Sequence, residues 1–125
     1  MKDKIFLGIQ ILSGLMLVVF GLNKFLHFMP MPPMSPEMVE YMTALMATGF
    51  MFPLIAVIEI LAGLAFISNK FAGLMAIIVT PVIVNALLAH IFLDPSGAGG
   101  AGFILFAIII VMIRHKDRYS EIFKA

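Results

Sequence analysis

Four long apolar stretches divide this chain, and they constrain its fold more than any other feature. They cover residues 5–26, 50–68, 71–93 and 97–113, and roughly 20 apolar residues are enough for a helix to cross a hydrocarbon core about 30 Å thick. Their apolar residues run continuously instead of alternating, which favours helices over the strands of a membrane barrel. With 62% hydrophobic and 12% charged residues, a soluble domain of this size could not cover its apolar side chains. The sequence predicts an all-α fold, a four-helix transmembrane bundle in one domain, 1–125.

A short helix is predicted between the first and second spans. It follows a proline-rich loop, residues 29–34, in which three prolines favour extended backbone. Ser35, Pro36 and Glu37 are typical of an N-cap, a first helical position and a first-turn acid, and they open a helix that runs to about Gly49. We expect this amphipathic helix to lie along the membrane surface, with four apolar side chains on one face: Met38, Met42, Leu45 and Met46.

The distribution of basic residues predicts the orientation of the chain. Seven of the eight Lys and Arg residues fall on the side shared by the termini and the second loop, and only Lys24 falls on the other side. Basic residues accumulate on the cytoplasmic side, so both termini are expected there. No A-x-A cleavage signature follows the first apolar stretch, which we interpret as a retained crossing and not a signal peptide. The tail 114–125 is expected to be solvated, with His115 at the surface and Tyr119 at interface depth.

Composition excludes several classes of function. The chain has no cysteine, so thiol nucleophiles, CxxC redox centres and cysteine-bound iron–sulfur clusters are excluded. A net charge of +1 with no run of basic residues gives no surface for nucleic acid. His27, Met29, Met31 and Met34 have soft donors that Cu(I) could use, but methionine is more often an adaptable apolar filler. No metal site is predicted.

Glu59 is the polar residue that most needs an explanation, because it lies near the middle of the second span. An ionised carboxylate in lipid costs several kcal/mol unless it is neutral, paired or hydrated. Helical periodicity puts small and aromatic residues on its side of the helix: Phe52, Ala56, Ala62, Gly63 and Phe66. A stripe of polar and small residues on the first span is expected to face Glu59: Gln10, Ser13, Gly14, Gly21 and Lys24.

The helical rise estimates how deep each polar group lies, measured from the end of its span on the side of the termini. Glu59 and Thr80 both lie about 14 Å from that end, and Asn85 lies about 21 Å from it. Lys24 and His90 lie about 28 Å from it. Glu59 is therefore expected near Thr80 and Asn85, and an ion pair with Lys24 would require a tilted or shortened helix.

Two interpretations of these groups remain open. Lys24, His27, His90 and Asp94 are expected to form an outer polar layer above Glu59, so that Glu59 carries a proton or accepts a ligand in a pocket below it. Alternatively, Glu59 and Asn85 are hydrogen-bonded contacts that hold helices together.

Three segments give the sequence a family resemblance. They are Gly21-Leu22-Asn23-Lys24, Pro53-Leu54-x4-Glu59 and Val84-Asn85-x4-His90-x3-Asp94-Pro95. Together with four short spans, they resemble the DoxX-like small membrane proteins of bacteria over nearly the whole chain. The resemblance implies the bacterial cytoplasmic (inner) membrane and a ligand-binding polar set: Lys24, Glu59, Asn85 and His90. Some members are associated with thiosulfate and quinone oxidoreduction, which implies quinone as a cofactor.

Three functions are consistent with this sequence. The first is an accessory subunit of a membrane redox system that holds a quinone or another lipophilic molecule near Glu59. Such a subunit would not be an enzyme on its own, or would be one part of a quinone-linked oxidoreductase. The second is a small transporter or proton-coupled permease subunit, which would need to form a homo-oligomer because four helices are few for a carrier. The third is a scaffold whose outer surface docks a membrane or periplasmic partner protein.

Overall fold

The computed structural model describes residues 1–30, 33–122 and 124. Five α-helices account for most of these residues: α1 (Lys2–Leu26), α2 (Pro36–Ala47), α3 (Met51–Ser68), α4 (Ala72–Leu93) and α5 (Ala98–Arg114). Short 3₁₀ turns cover Pro95–Gly97 and Lys116–Tyr119, and the described residues contain no strand. Helices α1, α3, α4 and, with the turn before it, α5 are each long and apolar enough to cross a membrane. The predicted all-α fold is confirmed, with four long helices and a short one after the first.

The four long helices form a closed ring in which α1 packs on α3, α3 on α4, α4 on α5 and α5 on α1. Each helix contributes a fully buried side chain to the centre: Leu17, Phe66, Val79 and Ile108. The outer faces stay apolar, as Leu64, Ile91 and Ile109 are all about half exposed. Apolar side chains on both the inner and the outer surface are what a bundle surrounded by lipid requires.

Helices α1 and α3 approach closely because glycines meet at their contact. A Cβ on Gly14 would lie 2.8 Å from the carbonyl oxygen of Gly63, and a Cβ on Gly63 would lie 2.6 Å from that of Gly14. Further along, a Cβ on Gly21 would lie 3.0 Å from the carbonyl oxygen of Ala56. Small residues allow this close packing between membrane helices. The predicted facing of the two stripes is confirmed, since Gln10, Ser13, Gly14 and Gly21 are buried on α1.

One end of the bundle carries the N-terminus, the α3–α4 turn and the C-terminal segment, and a polar network ties them together. Gln10 is fully buried, and its Nε2 donates to the Phe66 carbonyl oxygen and to Asn69 Oδ1, both at 2.9 Å. Arg114 Nη1 donates to Gln10 Oε1 at 2.5 Å, and Arg114 Nε lies 3.4 Å from Asp3 Oδ1. Because every polar atom of Gln10 has a partner, its burial carries no unsatisfied polar group.

The described part of the C-terminal segment is less solvated than the sequence predicts. His115 and Tyr119 are both only 8% exposed, so the prediction that His115 lies at the surface is wrong. The Tyr119 hydroxyl donates to the Gly73 carbonyl oxygen at 2.7 Å, and burial raises the pKa of the Tyr119 phenol. The 3₁₀ turn Lys116–Tyr119 folds this segment over the start of α4, where Gly73 has no side chain to block the ring.

The α1–α3 contact predicts the effect of adding one methyl group. Gly63→Ala is expected to lower the free energy of unfolding by about 1–3 kcal/mol, the usual cost of overpacking, because the new Cβ meets backbone atoms of α1. Thermal unfolding in detergent, followed by circular dichroism, measures this loss. Gly8→Ala is the matched control, since nothing lies within 4 Å of a Cβ there. Equal destabilisation by the two variants would contradict the packing argument.

Candidate functional site

A salt bridge between α1 and α3 is the centre of the candidate site. Lys24 Nζ lies 2.8 Å from Glu59 Oε1, and the two side chains are 21% and 7% exposed. Lys24 Nζ also lies 5.9 Å from the centre of the Phe52 ring, within range of a cation–π contact. The expectation that Glu59 meets Thr80 and Asn85 instead of Lys24 is therefore wrong. Thr80 donates to the Ala76 carbonyl oxygen of its own helix.

The axial offset between α1 and α3 explains this error. Counting from the ends of the spans places Gly14 at the same depth as Glu59. In the structure Gly14 instead contacts Gly63, which lies four residues after Glu59, towards the C-terminal end of α3. Four residues are about 6 Å along the axis, so the axial distance from Lys24 to Glu59 falls to about 9 Å. The long lysine side chain reaches back over this distance and places its ammonium group on the carboxylate.

A cavity of about 370 Å³ opens beside this salt bridge, at the end of the bundle opposite the termini. All four residues predicted for the site line it: Lys24, Glu59, Asn85 and His90. Most of the remaining wall is apolar and comes from the four long helices, including Phe20, Phe52, Ile55, Val82, Ile83 and Ile104. A largely apolar cavity of this size with a few polar groups is typical of a small-molecule site.

Helix α2 closes one side of the cavity. Met38 is buried and, with Met34, Met42 and Leu45, it lines the cavity. Ser35 is the N-cap as predicted, since its hydroxyl accepts a hydrogen bond from the Met38 amide. The methionine face of α2 therefore packs towards the bundle, while Met46, predicted on that face, is 53% exposed.

Three hydrogen bonds hold α2 and its N-cap residue against α4 and the residue that follows it. Asn85 Nδ2 donates to the Tyr41 hydroxyl oxygen at 2.5 Å. The Ser35 amide donates to Asp94 Oδ2 at 2.9 Å, and the Ser35 hydroxyl donates to the Leu93 carbonyl oxygen. Tyr41 was not among the residues predicted for the site, although its spacing from Met38 and Leu45 puts all three on one helical face. That spacing is the signal that could have identified it.

His90 and Asp94 lie at the edge of the cavity, as members of the predicted outer polar layer, but His27 does not join them there. His90 Nδ1 lies 3.3 Å from the Asp94 carbonyl oxygen. The Asp94 carboxylate accepts hydrogen bonds from Ser96 and Ser35, and these bonds lower the pKa of Asp94. His27 is exposed and caps α1 in a left-handed conformation, and it is not among the residues that line the cavity.

The lining residues define what the cavity can bind. The ammonium of Lys24, the amide of Asn85 and the imidazole of His90 can donate hydrogen bonds, and the Glu59 carboxylate can accept them. Among the described residues, no three His, Cys, Asp or Glu side chains are grouped as a metal site would require. Met31, one of the soft donors considered from the sequence, lies outside the described residues. The arrangement suits an apolar molecule with a few polar atoms.

The unequal burial of the salt bridge predicts unequal costs for losing each partner. Lys24→Met is expected to lower the free energy of unfolding by about 2–3 kcal/mol, below the loss for a fully buried pair because Lys24 is partly exposed. Glu59→Gln is expected to cost less, since the remaining Lys24 can extend towards water. Chemical unfolding in detergent measures both values.

The exposed pair of Lys124 and Glu121 supplies the control, with side chains 67% and 83% exposed. Lys124→Met is expected to change stability by less than about 1 kcal/mol. A loss for Lys24→Met no larger than for Lys124→Met would show that the buried pair contributes nothing to stability.

Comparison with known proteins identifies the family. The DoxX family model matches residues 5–92, a segment that contains Lys24, Glu59, Asn85 and His90. No curated protein and no solved structure matches the chain. The family match covers more than two thirds of the sequence and extends through the first three long helices. The chain therefore belongs to the DoxX family and is a multi-pass membrane protein.

Proposed function

We propose that the cavity beside the Lys24–Glu59 salt bridge binds a quinone or a similar lipophilic carbonyl compound, as an accessory subunit of a membrane redox system. The observation that carries this proposal is the cavity itself, about 370 Å³ in volume. It combines an apolar wall with a buried salt bridge. A ligand that partitions into the bilayer would find there both the apolar contact and the few polar contacts that fix its orientation.

The donors in the cavity fit a quinone head group. A quinone has a flat, largely apolar ring and carbonyl oxygens that only accept hydrogen bonds. Lys24, Asn85 and His90 all line the cavity. Lys24 and His90 are the side chains that would donate hydrogen bonds to those oxygens. Phe20 and Phe52 would contact the ring. When bound, the quinone would supply the redox chemistry, and the chain would bind and orient it.

An accessory role is more consistent with these residues than an independent enzyme. The chain has no cysteine, and the described residues contain no grouped metal ligands. Electrons would therefore pass between the quinone and a membrane or periplasmic partner protein. The contribution of this subunit would be to keep the quinone in an apolar cavity beside that partner.

The packing of the rest of the bundle favours a binding site over a transport path. Towards the termini, Gln10, Ser13, Leu17 and Phe66 are fully buried between the helices. Gly14 and Gly63 bring α1 and α3 into contact at the same level. A carrier would have to separate these contacts to expose Glu59 on that side. Transport by a homo-oligomer is for this reason the second candidate and not the first.

The proposal includes a location in the bacterial cytoplasmic membrane, with both termini in the cytoplasm. Lys70 lies in the α3–α4 turn, at the same end of the bundle as Lys2 and Arg114. Because basic residues favour the cytoplasmic side, the cavity and α2 would face the periplasm.

Single cysteines introduced into this cysteine-free chain test the orientation. A membrane-impermeant maleimide is expected to label Glu40→Cys, on the exposed side of α2, in cells with a permeabilised outer membrane. Lys124→Cys is expected to react only after the inner membrane is opened. Labelling in the opposite order would overturn the proposed orientation.

Thermal stability with a short-chain benzoquinone tests the ligand. The quinone is expected to raise the unfolding temperature of the protein in detergent, because it binds the folded state. Glu59→Gln should weaken binding about tenfold, the equivalent of one hydrogen bond to a charged group, because Lys24 loses the carboxylate that positions it. Glu121→Gln, an exposed position at the other end, is the control and should bind normally.

The outcomes separate the candidate functions. No stabilisation by quinone in either the parent protein or Glu59→Gln would overturn the quinone proposal. Proton flux in proteoliposomes that disappears in Glu59→Gln would favour a transporter. Cross-linking through the exposed surface of α2 that recovers a specific partner, without any effect of quinone, would favour a scaffold.

A further inference from the structure

A second depression lies on the lipid-facing surface between α3 and α4, next to the turn that joins them. We call it the α3–α4 groove, and its volume is about 430 Å³. Its wall is mostly apolar and is formed by Leu61, Leu64 and Ala65 of α3, Phe71 of the turn, and Leu74 and Met75 of α4, with Ser68 at the end of α3. Leu61, Leu64 and Leu74 are each about half exposed. In a bilayer, an apolar groove of this kind is filled by acyl chains, which restore the contacts that the protein leaves open.

A single cation lies at the end of the groove. Lys70, in the α3–α4 turn, is one of its lining residues and is exposed. None of the ion pairs within the described part of the chain includes Lys70. The groove therefore combines an apolar surface with a cation that has no carboxylate partner among those residues. This combination is complementary to a phospholipid with a negative head group.

The charge of the whole bundle end reinforces this selectivity. The end that carries the termini and the α3–α4 turn has seven basic side chains and three acidic ones, Asp3, Asp117 and Glu121, a net charge of +4. The opposite end, with Lys24 and four acidic residues, has a net charge of −3. An anionic head group is attracted to the first end, whereas a zwitterionic one gains little from it.

We propose that the α3–α4 groove binds one anionic phospholipid of the surrounding bilayer, with its phosphate at Lys70 and an acyl chain along Leu61, Leu64 and Leu74. The groove and the cavity beside Glu59 lie at opposite ends of the bundle and share no lining residue. The lipid site therefore does not depend on the quinone proposal and can be tested without a quinone.

Native mass spectrometry of protein released from defined nanodiscs tests the lipid and its charge. With equal amounts of phosphatidylglycerol and phosphatidylcholine, the parent protein is expected to retain phosphatidylglycerol preferentially. Lys70→Gln should reduce that preference about fivefold, the attraction expected from one basic residue near the membrane surface. Lys116→Gln, an exposed position at the same end but outside the groove, should reduce it much less.

A second pair of variants tests the groove itself. Leu64→Trp places a large ring over the acyl-chain surface and is expected to reduce retention of both lipids. Leu12→Trp is the matched control, because Leu12 is equally exposed on α1 and lies outside the groove. Equal retention of the two lipids by the parent protein, or equal losses in Lys70→Gln and Lys116→Gln, would overturn the proposal. Equal retention by Leu64→Trp and Leu12→Trp would place the lipid elsewhere.

Discussion

The close approach of α1 and α3 is the constraint on which the rest of the structure depends. Gly14 and Gly63 put backbone against backbone, so the two helices have little freedom to slide along each other without a clash. This contact fixes the axial offset that brings Lys24 to Glu59. The salt bridge follows from the packing of small residues about one turn from Glu59 and about three turns from Lys24, and these two helices supply the charged part of the cavity wall.

The two ends of the bundle have different physical characters. At the end with the termini, buried polar groups are fully paired, as Gln10 bonds to Phe66, Asn69 and Arg114. At the other end, the helices leave a cavity that α2 covers with flexible methionine side chains. Rigid packing below a deformable cover is an arrangement in which a binding site can adapt to its ligand while the frame that positions Glu59 stays in place.

The fold and four of the polar residues that line the cavity could be predicted from the sequence, whereas the contacts between those residues could not. Helical periodicity identifies which residues share a face, so Glu59 was expected on an inward face of its helix. Asn85 and His90 were added to the site because the family resemblance implied them. Periodicity does not give the offset between two helices, which depends on how closely glycines let them approach. It also cannot show that Tyr41 reaches Asn85 or that Tyr119 bonds to Gly73, because those contacts join segments 44 and 46 residues apart.

The attachment of α2 has a consequence for how a bulky molecule could be accommodated. The hydrogen bonds of α2 at Ser35 and Tyr41 all lead to α4 and the residue that follows it, whereas the salt bridge belongs to α1 and α3. Loosening the first set leaves the second intact. Movement of this twelve-residue helix would therefore enlarge the cavity without breaking the bridge between Lys24 and Glu59 that joins two of the long helices.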